Sequence, residues 1–101
     1  MHCFGTWMKA VTIYSDIDQV YGIETTYSDE LHNEFTYKHL GSGKDEEFLT
    51  KTTLKMSEGE MIIEATGNFD HQVHMLSLQT NYVQKIKAGG TGGNFTINCI
   101  S

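Results

Sequence analysis

Proline is absent from this chain of 101 residues, and cysteine occurs only twice. Basic residues are scarce: seven stand against thirteen acidic ones, a net charge of −6 with histidines neutral. An acidic chain without a basic stripe is poorly suited to a phosphate backbone, which argues against nucleic acid. Anionic membrane surfaces are disfavoured for the same reason. No apolar run approaches the roughly 20 residues of a membrane-spanning helix, so no membrane insertion is expected. The opening residues hold no basic-then-apolar leader, so the sequence reads as a mature chain, secreted or cytoplasmic. There is no linker and no low-complexity tract, which leaves a single domain over residues 1–101. A domain of this size buries roughly 60 to 68 per cent of its unfolded surface, enough for one modest core.

The two cysteines, Cys3 and Cys99, lie at opposite ends. Domain termini are often close in space, and a bridge closing nearly the whole chain is worth up to ~4.7 kcal/mol in the loop-entropy model. Two unpaired thiols in terminal strands is the other reading, and sequence alone does not measure their distance. Asn94-Phe95-Thr96 is a glycosylation sequon, relevant only to a secreted chain.

What is present is a rhythm of short apolar runs, recurring about every ten to twelve residues, the spacing of an all-β fold. Strands are expected near Lys9–Tyr14, Val20–Tyr27, Glu34–Leu40, Leu49–Met56, Glu60–Thr66, Val73–Thr80, Tyr82–Ala88 and Asn94–Cys99. Alternation in Val11-Thr12-Ile13, and of Leu76 and Leu78 with Ser77 and Gln79, places one face on a core and one in water. With no proline, the bends rest on Ser28-Asp29, Gly41-Ser42-Gly43, Ser57-Glu58-Gly59, Gly67-Asn68 and Gly89-Gly90-Thr91-Gly92-Gly93. A helix over Lys44–Lys55 is the one rival, and its threonines at 50, 52 and 53 favour a strand.

Chemistry of a catalytic kind finds no support. Neither cysteine has the context of a nucleophile, and no Gly-x-Ser-x-Gly elbow occurs. Acidic residues are many, but a glycosidase pair needs a carboxylate separation that a sequence does not show. His71 and His74 are three residues apart in a strand, which sends their rings to opposite faces, so no zinc site is expected. Asp16 and Asp18 offer two carboxylates where calcium takes six to eight oxygens. They read as a solvated acidic turn, and no metal or cofactor is expected. Trp7 reads as packing near the N-terminal strand rather than as a ring platform.

Four stretches carry a resemblance. They are Asp18–Tyr27, His39-Leu40-Gly41-Ser42-Gly43, Glu58-Gly59-Glu60 with Leu76-Ser77-Leu78-Gln79-Thr80-Asn81, and Gly92-Gly93-Asn94-Phe95. In order and spacing they resemble the jacalin-related lectins and their zymogen-granule relatives. The resemblance implies a β-prism of three Greek-key antiparallel sheets. It also implies a carbohydrate-binding, non-enzymatic module. The family's principal sugar site uses a Gly-x-x-x-Asp loop after the late glycine turn, and this sequence ends at Ser101 without one. An incomplete third sheet is therefore expected.

A second sugar site of some family members maps by position onto Asp18, Gln19, Val20 and Tyr21 beside Gly41, Ser42 and Gly43. Tyr21 stands where those members place a second carboxylate. The loop Asn68-Phe69-Asp70-His71 after Gly67 corresponds to one that borders the family's principal sugar, where Asp70 or Phe69 would contribute; a β-turn with Asn and Asp in their usual roles is the preferred reading of it. In such a site the carboxylate accepts hydroxyl protons and glycine amides donate to the ligand's oxygens. The competing interpretation makes Asp18 a turn residue and Gly41–Gly43 a plain bend. An open sheet edge recruits another strand, so a homo-oligomer is expected, with a strand-exchanged dimer as one form. Multivalency then raises avidity by ~10²–10⁴. The alternative function is a β-prism assembly module that has lost sugar binding.

Overall fold

The computed structural model describes residues 6–41, 44–70, 72–93 and 95–100. Eight strands follow one another: β1 (Thr6–Ser15), β2 (Val20–Asp29), β3 (Glu34–Leu40), β4 (Thr50–Lys55), β5 (Ile62–Phe69), β6 (Val73–Thr80), β7 (Lys85–Gly89) and β8 (Phe95–Ile100). They build two four-stranded antiparallel sheets, ordered β3-β2-β1-β4 and β7-β6-β5-β8. Each is a Greek key, three hairpin-linked strands with the fourth returning beside the first. The second sheet repeats the first, strand for strand. No third sheet occurs among the described residues, so the prism is incomplete there, as expected from the sequence.

The core lies where the sheets face each other. Val11, Ile13 and Leu54 from one sheet meet Leu78 and Ala88 from the other. Val11 and Ile13 are 1% and 0% exposed, and full burial of such a side chain is worth about 1.5–3 kcal/mol. Thr12 between them turns outward and meets the Thr53 hydroxyl at 2.9 Å. The alternation seen in the sequence thus sorts core from surface in β1.

Elsewhere packing overrides the pattern. Ser77, expected on the wet face of β6, is buried together with Met75. The Lys44–Lys55 segment opens with a 3-10 turn at Glu46–Phe48 before β4 begins. Asn68 and Phe69, expected in a loop, extend β5 and pair with β6 and β8. Tyr82 and Val83, expected to open a strand, form the β6–β7 turn instead, and Val83 adopts a positive φ of 66°.

Glu60 leaves β5 because its side chain is needed at that turn. Its carboxylate receives the Thr80 hydroxyl, the Gln84 amide at 2.7 Å and the Ser57 N–H at 2.8 Å. Asn81 donates to the Gly59 carbonyl and accepts the Met61 N–H at 2.9 Å. The Tyr82 hydroxyl donates to the Glu58 carbonyl. Two of the stretches that carry the family resemblance, Glu58-Gly59-Glu60 and Thr80-Asn81, are therefore one structural staple. It ties the β4–β5 connection to the β6–β7 turn.

That staple occupies one end of the molecule. The β1–β2, β3–β4, β5–β6 and β7–β8 connections all lie at the other end, because each sheet has the same up-and-down order. Ser42, Gly43, His71, Asn94 and Cys3 lie outside the described residues. The full glycine bend after Leu40, the His71 ring, the sequon asparagine and the Cys3–Cys99 pairing therefore lie outside them as well.

Candidate functional site: the loop end of the two sheets

The β1–β2 loop is shaped by Asp16. One carboxylate oxygen accepts the N–H groups of Asp18 and Gln19 at 2.8 and 2.9 Å, and the Asp16 N–H donates to the Gln19 carbonyl at 3.0 Å. The other oxygen accepts Lys44 Nζ at 2.8 Å, reaching across from the β3–β4 connection. Lys44 also lies 5.8 Å from the Tyr21 ring centre. The Lys44 ammonium, helped by the two loop amides, holds the Asp16 carboxyl far below the ordinary carboxylate range. The Asp16 side chain is 14% exposed. It is therefore not the solvated acid expected from the sequence, but the post around which the loop turns.

This arrangement leaves Asp18 outward. Its residue is exposed, and its carboxylate accepts no hydrogen bond from the described residues. The turn role that sequence reading assigned to Asp18 as the competing interpretation belongs to Asp16. Gln19 contributes its main chain to the turn. Val20, a candidate ligand contact, packs against the core instead, because a residue that starts β2 on the inner face has apolar neighbours. Tyr21, next along the strand, faces the Asp16–Lys44 pair, and its hydroxyl pKa is raised chiefly by burial and then by the nearby Asp16 charge. The Gly41 N–H, expected to serve a ligand, is taken by the Tyr21 carbonyl at 2.7 Å.

The second sheet supplies the other half. Asp70, at the end of β5, accepts the Gln72 N–H at 3.3 Å and lies 2.9 Å from His74 Nε2. His74 Nδ1 lies 3.2 Å from the Asp18 carbonyl oxygen. The Asp70 carboxylate raises the His74 pKa above its ordinary 6.5, against the opposing effect of burial. The β7–β8 loop wraps this histidine. The Gly90 N–H donates to the His74 carbonyl at 2.7 Å. A Cβ on Gly90 would stand 2.5 Å from the Ile17 carbonyl oxygen and 2.9 Å from that of Asp18, so only glycine allows this approach.

Of the expected site residues, Asp18, Gln19, Tyr21, Gly41 and Asp70 are thus at one end of the molecule, on loops from both sheets. Val20 is half-buried and packs against the core, and Ser42 and Gly43 lie outside the described residues. Asp16, Lys44, His74 and Gly90, which build the same end, were not named from the sequence. The Asp-x-Asp-Gln run was a signal for an Asx-type turn. Nothing in the sequence placed His74 beside Asp18.

The chain matches the jacalin-like lectin domain over residues 2–100. It belongs to the jacalin-like lectin family. Solved lectins share its fold at low sequence identity. The lectin of Malaysian banana superposes with a TM-score of 0.74 at 17% identity, over 99% of this chain and 74% of that one. The lectin MPA, solved with the T-antigen disaccharide, gives 0.76 at 15%, over 93% and 73%. AcmJRL, a mannose-binding jacalin-related lectin from Ananas comosus, gives 0.73 at 14%, over 99% and 69%. No curated protein matches the chain by sequence. Among the described residues, no cluster of His, Cys, Asp and Glu is placed to hold a metal ion, and no helix is long and apolar enough to cross a membrane.

Proposed function

We propose that this jacalin-like domain is a non-enzymatic carbohydrate-binding module whose ligand sits at the loop end, against Asp18. The observation that carries the reading is the Asp18 carboxylate. It is exposed and accepts no hydrogen bond from the described residues, on a loop braced by Asp16, Lys44, His74 and Gly90. A carboxylate so presented accepts two vicinal hydroxyl protons, and such charge-assisted bonds are about twice as strong as neutral ones. Tyr21, against Lys44, and the β7–β8 loop, whose Gly90 lies against the Asp18 main chain, are at the same end. Bracing matters because a loop already in its bound form loses less entropy on binding.

A glycan array followed by calorimetric titration of the best hit tests this. Asp18→Ala is expected to weaken binding by about tenfold or more, the loss of one charge-assisted hydrogen bond of ~1.5–3 kcal/mol. Unchanged affinity removes the site from Asp18, and an array with no hits removes the function.

A second reading, assembly of copies of this chain, is favoured by a separate observation. Strands β3 and β8 are sheet edges without a neighbouring strand among the described residues. Beside β8 lies an apolar groove of about 330 Å³ formed by Ala65, Gly67, Phe69, Val73, Leu76 and Ile97. Such an edge with an apolar face recruits a strand, and a second copy offers the same edge in return. Light scattering at micromolar concentration distinguishes the cases: a dimer or larger species supports assembly, and a clean monomer rejects it.

A further inference from the structure

His74 is not among the residues that would touch a ligand at Asp18, yet both of its ring nitrogens are engaged. Nε2 faces a carboxylate oxygen of Asp70 at 2.9 Å, and Nδ1 faces the main-chain carbonyl of Asp18 at 3.2 Å. Neither partner can donate: an amide carbonyl has no proton, and an ionised carboxylate has none. Both nitrogens must therefore carry a proton for both hydrogen bonds to form. A neutral imidazole has one N–H, so one of the two contacts would then set lone pair against lone pair. The geometry selects the imidazolium.

The ring has little room to turn away. Its side chain is 15% exposed, and a Cβ built on Gly92 would lie 3.0 Å from Nδ1. The charged groups facing it among the described residues are Asp70, from the β5–β6 connection, and Asp18, from the β1–β2 loop. Both are anionic and both favour the cation. The β7–β8 loop meets the ring with glycine, which adds no charge.

We propose that His74 is a positioning residue of the ligand site, clamping the Asp18 loop of one sheet to the Asp70 connection of the other only while it is an imidazolium. This rests on the glycan-binding reading and adds its regulation: affinity falls as pH rises. Protonated, the ring fixes the Asp18 main chain and so the height of the Asp18 carboxylate. Deprotonated, it keeps one bond and releases the other, and the loop that carries the ligand-binding acid gains freedom. The sign follows from the raised pKa. The clamp forms as pH falls through the folded value, which lies above the ordinary 6.5, and is lost as pH rises through it.

The test uses the full chain with selectively labelled histidine. Ring-nitrogen NMR from about pH 5.5 to 9 reads the protonation of His74 directly. Titration of the best array glycan over the same range reads affinity. Both ring nitrogens of His74 are expected to be protonated at the acid end, and affinity is expected to fall about tenfold across the ring's transition. His74→Gln, which can donate only through its amide, should abolish that pH dependence. Asp70→Asn should move the midpoint downward in pH, which a merely structural role for Asp70 would not do.

A His74 ring that is neutral throughout, or a glycan affinity whose pH profile is the same in wild type and His74→Gln, overturns the inference while leaving Asp18 as the ligand acid. If no glycan binds, the proposed function fails, and hydrogen exchange judges the clamp separately. Amides of Asp18, Gln19 and Gly90 that exchange faster above the His74 transition, beyond the intrinsic effect of pH, support it. Protection that ignores the transition rejects it.

Discussion

Adding one methyl group at Gly90 should unseat the loop end without touching a ligand. The three atoms nearest to the Cβ of Gly90→Ala would all be main chain: the carbonyl oxygens of Ile17 and Asp18 at 2.5 and 2.9 Å, and Asp18 Cα at 3.0 Å. These closest contacts cannot be relieved by a side-chain rotation. Ordinary contact begins near 3.4 Å, so one loop must retreat by roughly 1 Å, a shift of the kind that costs about 1–3 kcal/mol in a packed site. For a domain of this length, each kcal/mol lowers the melting temperature by about 4–8 °C.

The retreat pulls Asp18 from its brace, so glycan affinity should fall by about tenfold as well. Gly67→Ala is the control. Its Cβ would stand 3.5 Å from the Met75 carbonyl oxygen and 4.0 Å from Leu76 Cδ1, ordinary contacts on an extended strand. There the lost freedom of the unfolded chain should dominate, for a gain of about 0.4–1 kcal/mol. Thermal melts and calorimetric titrations of the two variants side by side decide the matter. A Gly90→Ala protein that melts with the wild type and binds as tightly would refute the reasoning.

Three further outcomes follow from the same geometry. Thr80→Val keeps the shape of a residue that is 1% exposed but removes the hydroxyl serving Glu60, Tyr82 and Gln84. Urea unfolding should show a loss of about 1–3 kcal/mol, and a loss under about 0.5 kcal/mol would place the staple's stability elsewhere. Glu60 is held below its ordinary 4.5, first by the Thr80 hydroxyl and then by the Ser57 amide. Its contribution is full above that value and is lost as pH falls through the lower folded one. Melting temperature measured from about pH 6 down to 2 should therefore drop less steeply for Glu60→Gln than for wild type. Asp16→Ala removes the anchor of the β1–β2 loop and should lower both melting temperature and glycan affinity. Asp18→Ala should lower affinity alone, since surface changes usually move stability within about 0.5 kcal/mol; identical behaviour of the two variants would contradict the division of roles between these acids.

Much of this molecule was legible along the chain because strands and turns are local. Period-two alternation marked Val11 and Ile13 as core, and glycine, serine, asparagine and aspartate marked the bends. The order and spacing of motifs were enough to recognise a jacalin-like domain. Boundaries failed where a side chain was claimed by something distant in sequence. Glu60 was drawn out of β5 by Thr80 and Gln84, some twenty residues on, and Ser77 was covered from the face expected to be wet.

The site divides along the same line. Asp18, Gln19, Tyr21, Gly41 and Asp70 were named from the sequence, and they do share an end of the molecule. Their roles were not readable, because a carboxylate's task depends on which cation and which amides reach it. Asp16 and Asp18 are two residues apart and chemically identical, yet Lys44 from another loop makes one a structural post and leaves the other exposed, where we propose the ligand sits. Sequence determined the ribbons, the bends and the supply of acids. Only the stacking of one Greek key on the other decided that Gly90 would lie against Asp18 and that His74 would stand between Asp18 and Asp70, since hydrogen bonds across 56 residues are set by how sheets pack and not by any local pattern.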